Sequence, residues 1–256
     1  MQNQVVVVTG SSTGIGKAIA IRFAELGARI VLHGRSESQS LLETMDSVRN
    51  LGAECEAVYA DFENSECLDR LVTDAWSKFE TVDCWINNAG GDVLTGRWAD
   101  AELYKKLDYL FEVDVKSTWK LSRSVGQKMG QQSSCDERDR SIINIGWDQA
   151  WQGMAGDSGE MFSITKGSIM AVTKSLAQSL APLIRVNCIA PGWIQTSWGE
   201  QTSEYWDRRA KSESLMNRWG RPEDIAGVAT FLASRSASFV NGQVIAVNGG
   251  FRLHQS

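Results

Sequence analysis

Short apolar stretches alternate with longer amphipathic segments along most of the chain. Seven of these stretches are rich in β-branched residues and span residues 5–9, 29–33, 54–59, 84–88, 141–145, 185–190 and 244–247. Near-continuous apolar strands joined by helices indicate a parallel sheet that is covered on both faces. The pattern therefore predicts an α/β fold with a doubly wound parallel sheet (Rossmann-type), formed as a single domain by residues 1–256.

Two polar stretches interrupt this alternation. Residues 131–140 are almost all polar or charged and are interpreted as a surface connection. Residues 197–218 follow the sixth predicted strand and contain Trp198, Tyr205 and Trp206. Ligands of open parallel sheets bind at the carboxyl ends of the strands, so we expect this segment to act as a substrate lid.

Composition and charge narrow the classes of function. The net charge is −5 and no block of Lys and Arg occurs, which argues against nucleic acid and anionic membranes as partners. Only His33 and His254 supply imidazoles, so neither a metal site nor a Ser-His-Asp hydrolase is expected. The five cysteines show no paired spacing, and residues 1–8 do not resemble a signal peptide. We expect a cytoplasmic protein.

The most specific local signal is Thr-Gly-Ser-Ser-Thr-Gly-Ile-Gly at residues 9–16. It follows the first predicted strand and opens the first predicted helix. Glycines there let the backbone approach a pyrophosphate, and the helix N-terminus favours the phosphate charge. The expected dinucleotide contacts in this loop are Gly10, Ser12, Thr13, Gly14, Ile15 and Gly16.

Arg35 follows the second predicted strand, where the adenine ribose of a bound dinucleotide would lie. An arginine there can bind a 2′-phosphate bidentately, whereas a carboxylate would bind the 2′-hydroxyl and repel the phosphate. Arg35 therefore favours NADP(H) over NAD(H). Glu37 follows two residues later and supplies a carboxylate, so NAD(H) stays an alternative cofactor.

With further motifs, essentially the whole chain resembles the short-chain dehydrogenase/reductase family. The motifs are Asp61 after the third strand, Asn-Asn-Ala-Gly at 87–90, Pro-Gly-Trp-Ile-Gln-Thr at 191–196 and Gly-Arg-Pro-Glu-Asp-Ile-Ala at 220–226. The resemblance implies a nicotinamide dinucleotide cofactor, a small-molecule substrate and a homo-oligomer, either dimer or tetramer. The further cofactor contacts that it implies are Asp61, Phe62, Asn88, Ala89, Gly90, Lys166, Pro191, Gly192, Ile194 and Thr196.

The chain departs from this family at its catalytic positions. The family uses an Asn-Ser-Tyr-Lys set, in which tyrosine transfers a proton, serine positions the substrate oxygen, and lysine lowers the tyrosine pKa and holds the ribose. By resemblance the corresponding residues are Asp114, Trp147, Phe162 and Lys166, so only the lysine is kept. A short insertion would place the serine position at Gly146 or Asp148 instead.

Two hypotheses follow from this departure. In the first, the protein transfers hydride between the nicotinamide and a small carbonyl, imine or activated C=C substrate without the usual tyrosine acid. The proton then comes from water, from the substrate, or from Asp148, Asp157 or Glu160. In the second, the protein is a catalytically silent pseudoenzyme that binds a dinucleotide and acts as a sensor or partner subunit.

Tryptophan is frequent, with ten residues in the chain. Trp147, Trp151, Trp193 and Trp198 all fall in segments that border the expected nicotinamide face. Aromatic walls stack flat or apolar ligands, so a flat or aromatic substrate is one interpretation. Plain core and lid packing is the other.

Overall fold

The computed structural model describes residues 1–132, 139–196 and 202–252. Within them, seven parallel strands form one sheet in the order β3-β2-β1-β4-β5-β6-β7. The strands are β1 Val5–Val8, β2 Arg29–Gly34, β3 Cys55–Tyr59, β4 Cys84–Asn87, β5 Arg140–Ile145, β6 Ile184–Pro191 and β7 Val244–Val247. Each matches a predicted strand to within one residue at either end, which confirms the predicted doubly wound α/β class.

Helices connect the strands and cover both faces of the sheet. They are α1 Gly14–Glu25, α2 Gln39–Asn50, α3 Cys67–Phe79, α4 Leu103–Leu110, α5 Ser117–Gln131, α6 Gln149–Gln152, α7 Asp157–Leu180, α8 Glu204–Glu213 and α9 Pro222–Ala233. A π-helical turn, Phe111–Lys116, joins α4 directly to α5. None of the helices in the described ranges is long and apolar enough to cross a membrane.

The four valines of β1 show why its sequence is continuously apolar. Val6 and Val8 pack into a core shared with α1, α2 and α9, whereas Val5 and Val7 pack into a core shared with α3, α5 and α7. Successive side chains of a strand point to opposite faces, so a strand between two helical layers needs apolar residues at every position.

The order of the strands changes direction between β1 and β4. In a doubly wound sheet this switch point opens a crevice at the carboxyl ends of the two strands, where ligands bind. The loops after β1, β2, β3 and β4 meet at this edge and carry most of the predicted cofactor contacts.

The two predicted polar segments are described in part. α8 lies inside the predicted lid, while residues 197–201 fall outside the described residues. Residues 133–138 of the predicted surface connection also fall outside them.

Candidate functional site

The glycine-rich loop after β1 packs tightly against the segment that follows β4. Gly10 has φ of +62°, and a Cβ built on it would lie 2.8 Å from Ala89 Cα. A Cβ on Gly16 would lie 2.2 Å from the Gly10 carbonyl oxygen. Asn88 Nδ2 donates to the carbonyl oxygens of Thr9 and Gly10, at 2.9 Å each. The two motifs therefore form one preorganised loop structure that admits no larger residue at either glycine.

This loop structure lines a polar cavity of about 610 Å³ at the switch point. Gly16 does not line the cavity, and instead allows α1 to start close against the loop. Sequence reasoning missed His33, Gly34, Ala60, Asp92, Tyr109 and Val113, of which the first three stand at or just after strand ends. The predicted cofactor contacts that line the cavity are Gly10, Ser12, Thr13, Gly14, Ile15, Arg35, Asp61, Phe62, Asn88, Ala89, Gly90 and Thr196.

His33, in β2, also contacts the glycine-rich loop. Its Nδ1 accepts the Gly10 N–H at 3.1 Å, and its Nε2 donates to the Ala60 carbonyl oxygen at 3.1 Å. The ring is therefore neutral, since Nδ1 must stay unprotonated to accept. Burial lowers the pKa of His33 to about 4, against the opposing effect of the Ala60 hydrogen bond.

A second cavity, of about 310 Å³ and mostly apolar, lies beside the first. Ile15 and Thr196 line both cavities, so the two spaces adjoin at these residues. Of the predicted cofactor contacts, Pro191, Gly192, Ile194 and Lys166 line this apolar cavity and not the polar one. The other described residues that line it are Leu94, Ile145, Gly146, Trp147, Met154, Ser158, Phe162, Trp193, Trp206 and Trp219.

Three of the four predicted catalytic residues meet at the apolar cavity. Phe162 and Lys166 stand four residues apart in α7 and so share one face of the helix. Trp147, just after β5, meets Phe162 edge to face, with ring centroids 6.2 Å apart. Asp114 is not among the lining residues, and reaches the cavity only through its contact with Lys166.

Asp114 and Lys166 form a buried ion pair. Asp114 Oδ2 lies 2.7 Å from Lys166 Nζ, and the two side chains are 1% and 16% exposed, respectively. Asp114 Oδ1 accepts the Gly91 N–H at 2.6 Å. The approach of Nζ to Oδ2 is close but lacks hydrogen-bond geometry, so the attraction is mainly electrostatic. The π-helical turn that carries Asp114 is a feature often found at functional sites.

The chain matches known proteins over nearly its whole length. A profile of the enoyl-(acyl carrier protein) reductase family matches residues 10–252. The 3-oxoacyl-[acyl-carrier-protein] reductase of Aquifex aeolicus is 31% identical over 98% of both chains. The 3β-hydroxysteroid dehydrogenase 1 of Eggerthella lenta is 32% identical, over 99% of this chain and 95% of its own. The chain is a short-chain dehydrogenase/reductase.

A solved structure shows the same likeness in three dimensions. A 7α-hydroxysteroid dehydrogenase, in complex with NADH and 7-oxo-glycochenodeoxycholic acid, superposes with a TM-score of 0.87 at 28% identity, over 100% of this chain and 96% of its own. Relatives in the short-chain dehydrogenase/reductase family are NAD(P)(H)-dependent oxidoreductases. The solved structure thus supports the Rossmann-type fold, and the profile and the relatives establish the family.

Within this family, the predicted correspondence places a carboxylate where other members have an amide. An amide at residue 114 would carry no charge, whereas Asp114 pairs directly with the Lys166 ammonium. The lysine is therefore held by an ion pair at the edge of the apolar cavity.

None of the three acids considered as proton sources lines the apolar cavity. Asp148 is buried and accepts a hydrogen bond from Asn248 Nδ2 at 2.9 Å. Burial raises the pKa of Asp148 to about 6, with a smaller contribution from the negative charge of Glu213. Asp157 and Glu160 are exposed in the first turn of α7, where their negative charges interact favourably with the helix dipole.

Three tryptophans form an aromatic wall of the apolar cavity. The ring of Trp193 lies 5.6 Å from that of Trp206 and 6.0 Å from that of Trp219. At the end of α8, Glu213 accepts hydrogen bonds from Trp193 Nε1 at 2.7 Å and from Arg209 Nε at 2.6 Å. The described part of the predicted lid is thereby joined to the cavity wall.

The turn between α6 and α7 adds two lining residues that the sequence did not indicate. A Cβ on Gly159 would lie 2.2 Å from the Met154 carbonyl oxygen, so this glycine lets the turn pack against the start of α7. Met154 and Ser158 then line the cavity. Trp151, expected beside the nicotinamide, is instead exposed and does not line it. Trp198 lies outside the described residues.

Proposed function

We propose that the protein is an NADP(H)-dependent reductase of a flat, apolar carbonyl, imine or activated C=C compound, and that it works without the usual tyrosine acid. The observation that carries the proposal is the pair of adjoining cavities. The polar cavity has the preorganised glycine loop, and the apolar cavity has aromatic walls and one ammonium group, Lys166. Ile15 and Thr196 line both cavities, which supports a nicotinamide ring bound between the two.

The polar cavity has the features that a dinucleotide requires. At Gly10 and Gly16, side chains would fill space that the close-packed loop occupies, and the loop precedes the N-terminus of α1. The reduced nicotinamide, when bound, would supply a hydride to the neighbouring cavity. Relatives are named 3-oxoacyl-[acyl-carrier-protein] reductase and 3β-hydroxysteroid dehydrogenase 1, and these names support the same class of reaction here.

Arg35 supports NADP(H) as the preferred cofactor. It lines the polar cavity, is exposed, and forms no ion pair with a carboxylate of the described residues. Its guanidinium is free to bind a 2′-phosphate bidentately. Asp61, also in the cavity, is placed to contact the adenine side.

The substrate class follows from the apolar cavity. Trp147, Phe162 and the three-tryptophan wall supply aromatic surface on several sides. Such surfaces gain most from flat apolar ligands. We further propose that residues 197–218 cover this cavity as a lid, because Trp206 of α8 lines it.

Two further proposals concern the state of the protein. Tyr104, Trp119 and Phe239 are large and exposed, which supports a homo-oligomer. Four cysteines of the described residues are free thiols, which supports a reducing, cytoplasmic compartment.

The test combines binding and turnover. Intrinsic tryptophan fluorescence would be titrated with NADPH and with NADH, and turnover measured on acetophenone, cinnamaldehyde and phenanthrenequinone. We expect tighter binding of NADPH and turnover of at least one of these flat compounds. Binding without any turnover would favour the pseudoenzyme, and no binding of either nucleotide would overturn the cofactor assignment.

Phe162→Tyr extends the test to the vacant acid position. It adds a phenol in α7 facing the cavity, so we expect faster reduction of acetophenone than in the wild type. Phe231→Tyr, an exposed phenylalanine in α9, is the matched control and should change nothing. Loss of NADPH binding in Phe162→Tyr would contradict this placement of the cavities.

A further inference from the structure

We propose that the Lys166 ammonium is itself the proton donor to the substrate oxygen, and that buried Asp114 holds it in place. This inference rests on the proposed function. In the step, the carbonyl carbon would be reduced by a hydride from the bound reduced nicotinamide, which would be oxidised, and the electron pair of the C=O bond would move to oxygen. That oxygen takes a proton from Lys166 Nζ and becomes a hydroxyl, and the neutral amine regains a proton from water.

The lining of the apolar cavity carries the inference. Among the described residues that line it, Lys166 is the only one with a titratable side chain. Asp148 faces Asn248, and Asp157 and Glu160 are exposed outside the cavity. A reacting oxygen in this space therefore meets one Brønsted acid of the described chain.

Lys166 also lies on the side of the site that the proposed function assigns to the substrate. It lines the apolar cavity and not the polar one. Phe162, one helical turn earlier, has no proton to give and packs edge to face on Trp147. The lining of the cavity around Lys166 is mostly apolar, and a charged donor acts more strongly in such surroundings than in water.

The acidity of an ammonium is adequate for this role. Ammonium and phenol groups are both weak acids that can donate a proton to an alkoxide. The alkoxide formed on hydride addition is much more basic than either conjugate base. A lysine can thus replace a phenol as the general acid.

Asp114 acts as a positioning residue behind the donor. Its carboxylate is fixed by the Gly91 N–H at 2.6 Å and lies 2.7 Å from Lys166 Nζ, so it holds the ammonium by charge at the edge of the cavity. Two further titratable groups of the described residues interact electrostatically with the pair: Tyr109 with Asp114, and Cys188 of β6 with Lys166. Burial raises the pKa of this thiol to about 12, so it stays protonated and neutral.

The first arm of the test separates proton donation from positive charge. Lys166→Arg keeps a cation that can pair with Asp114, but a guanidinium does not give up its proton at physiological pH. With acetophenone and NADPH we expect kcat to fall about 100-fold or more, the usual loss on removing a general acid, with NADPH affinity unchanged. Lys174→Arg, exposed on the same helix, is the control and should keep the wild-type kcat.

The second arm does not depend on turnover. Nitrophenol, a flat phenol whose ionisation is read by absorbance, would be bound to the protein without nucleotide. We expect its anion to be favoured in the wild type and in Lys166→Arg, and its neutral form in the double variant Lys166→Met/Asp114→Asn. The double variant leaves no unpaired buried charge and so guards against misfolding.

The outcomes are distinct. Full kcat in Lys166→Arg would overturn the inference and leave the proposed function intact. Equal nitrophenol ionisation in the wild type and the double variant would show that the ammonium does not face the cavity, and would also overturn it. If the wild type reduces none of the three test compounds, the proposed function fails, and the inference fails with it.

Discussion

The Asp114–Lys166 ion pair makes a prediction about stability that is independent of catalysis. Lys166→Met would leave Asp114 with a 1% exposed carboxylate and one remaining hydrogen bond, from the Gly91 N–H. Breaking a buried pair in this way destabilises a protein by about 3–5 kcal/mol, because the surviving charge has no partner. Asp114→Asn should cost less, because Lys166 is 16% exposed and its flexible side chain can turn the ammonium toward water.

The double variant should recover most of this loss. Lys166→Met/Asp114→Asn removes both charges, and replacing a buried pair by neutral groups is often close to neutral, so we expect it to lie within about 1 kcal/mol of the wild type. Urea unfolding followed by tryptophan fluorescence, at one fixed protein concentration, measures the four free energies of unfolding. In a chain of this size each kcal/mol lowers Tm by about 2–4 °C, which gives a second readout.

Exposed Lys174 of the same helix provides the control, since Lys174→Met should change the free energy of unfolding by less than about 0.5 kcal/mol. If the losses of the two single variants simply add in the double variant, the pair is not coupled and the reasoning is refuted. A loss below about 1 kcal/mol in Lys166→Met would equally show that Asp114 is not a buried unpaired charge in that variant.

Three further predictions concern the cofactor and pH. Arg35→Glu should weaken NADPH binding at least about tenfold, because it replaces a bidentate phosphate ligand by a repelling charge, while NADH binding is maintained; fluorescence titration with both nucleotides checks this, and equal losses would contradict it. His33 is neutral when folded, with a pKa of about 4, and is protonated below about pH 6.5 when unfolded, so its contribution to stability is complete above pH 6.5 and is lost as pH falls towards 4. Urea unfolding from pH 7 to pH 4 should show a shallower loss in His33→Gln than in the wild type, and parallel curves would speak against a buried neutral imidazole. Asp148 has the opposite sign: its pKa is raised to about 6 from an unfolded value near 3.8, so it favours the fold most below pH 3.8 and loses that contribution as pH rises through 6. The free energy of unfolding of Asp148→Asn, relative to that of the wild type, should therefore rise by up to about 3 kcal/mol between pH 4 and pH 7. A relative free energy that does not change with pH would exclude the buried ionised carboxylate.

The strands could be predicted because burial on both faces leaves a direct mark on the sequence. In β1 all four positions must be apolar, and no other common element gives so short a continuous run. The glycine loop was equally readable, since Gly10 and Gly16 stand where the chain leaves no space for a side chain.

Contacts between distant segments were not readable from the sequence. The Asp114–Lys166 pair joins a π-helical turn to α7. The family resemblance assigned both residues to one catalytic set, but nothing in either local sequence indicates that they form an ion pair. Met154 reaches the cavity from a turn that packs against α7 at Gly159, where there is no space for a side chain. Trp151 was expected at the site from its position near Trp147, but in the short helix α6 its side chain points outward.

The proposed function depends on hydride transfer from the nicotinamide to a substrate in the apolar cavity, although no tyrosine is present at residue 162. The most direct measurement is transfer of deuterium from NADPH labelled at C4 of the nicotinamide to acetophenone, cinnamaldehyde or phenanthrenequinone, detected in the product by mass spectrometry. We predict deuterium on the reduced carbon of at least one product with the wild-type protein, and much less with Lys166→Arg. Tight NADPH binding with no deuterium in any product, even after Phe162→Tyr, would contradict the account.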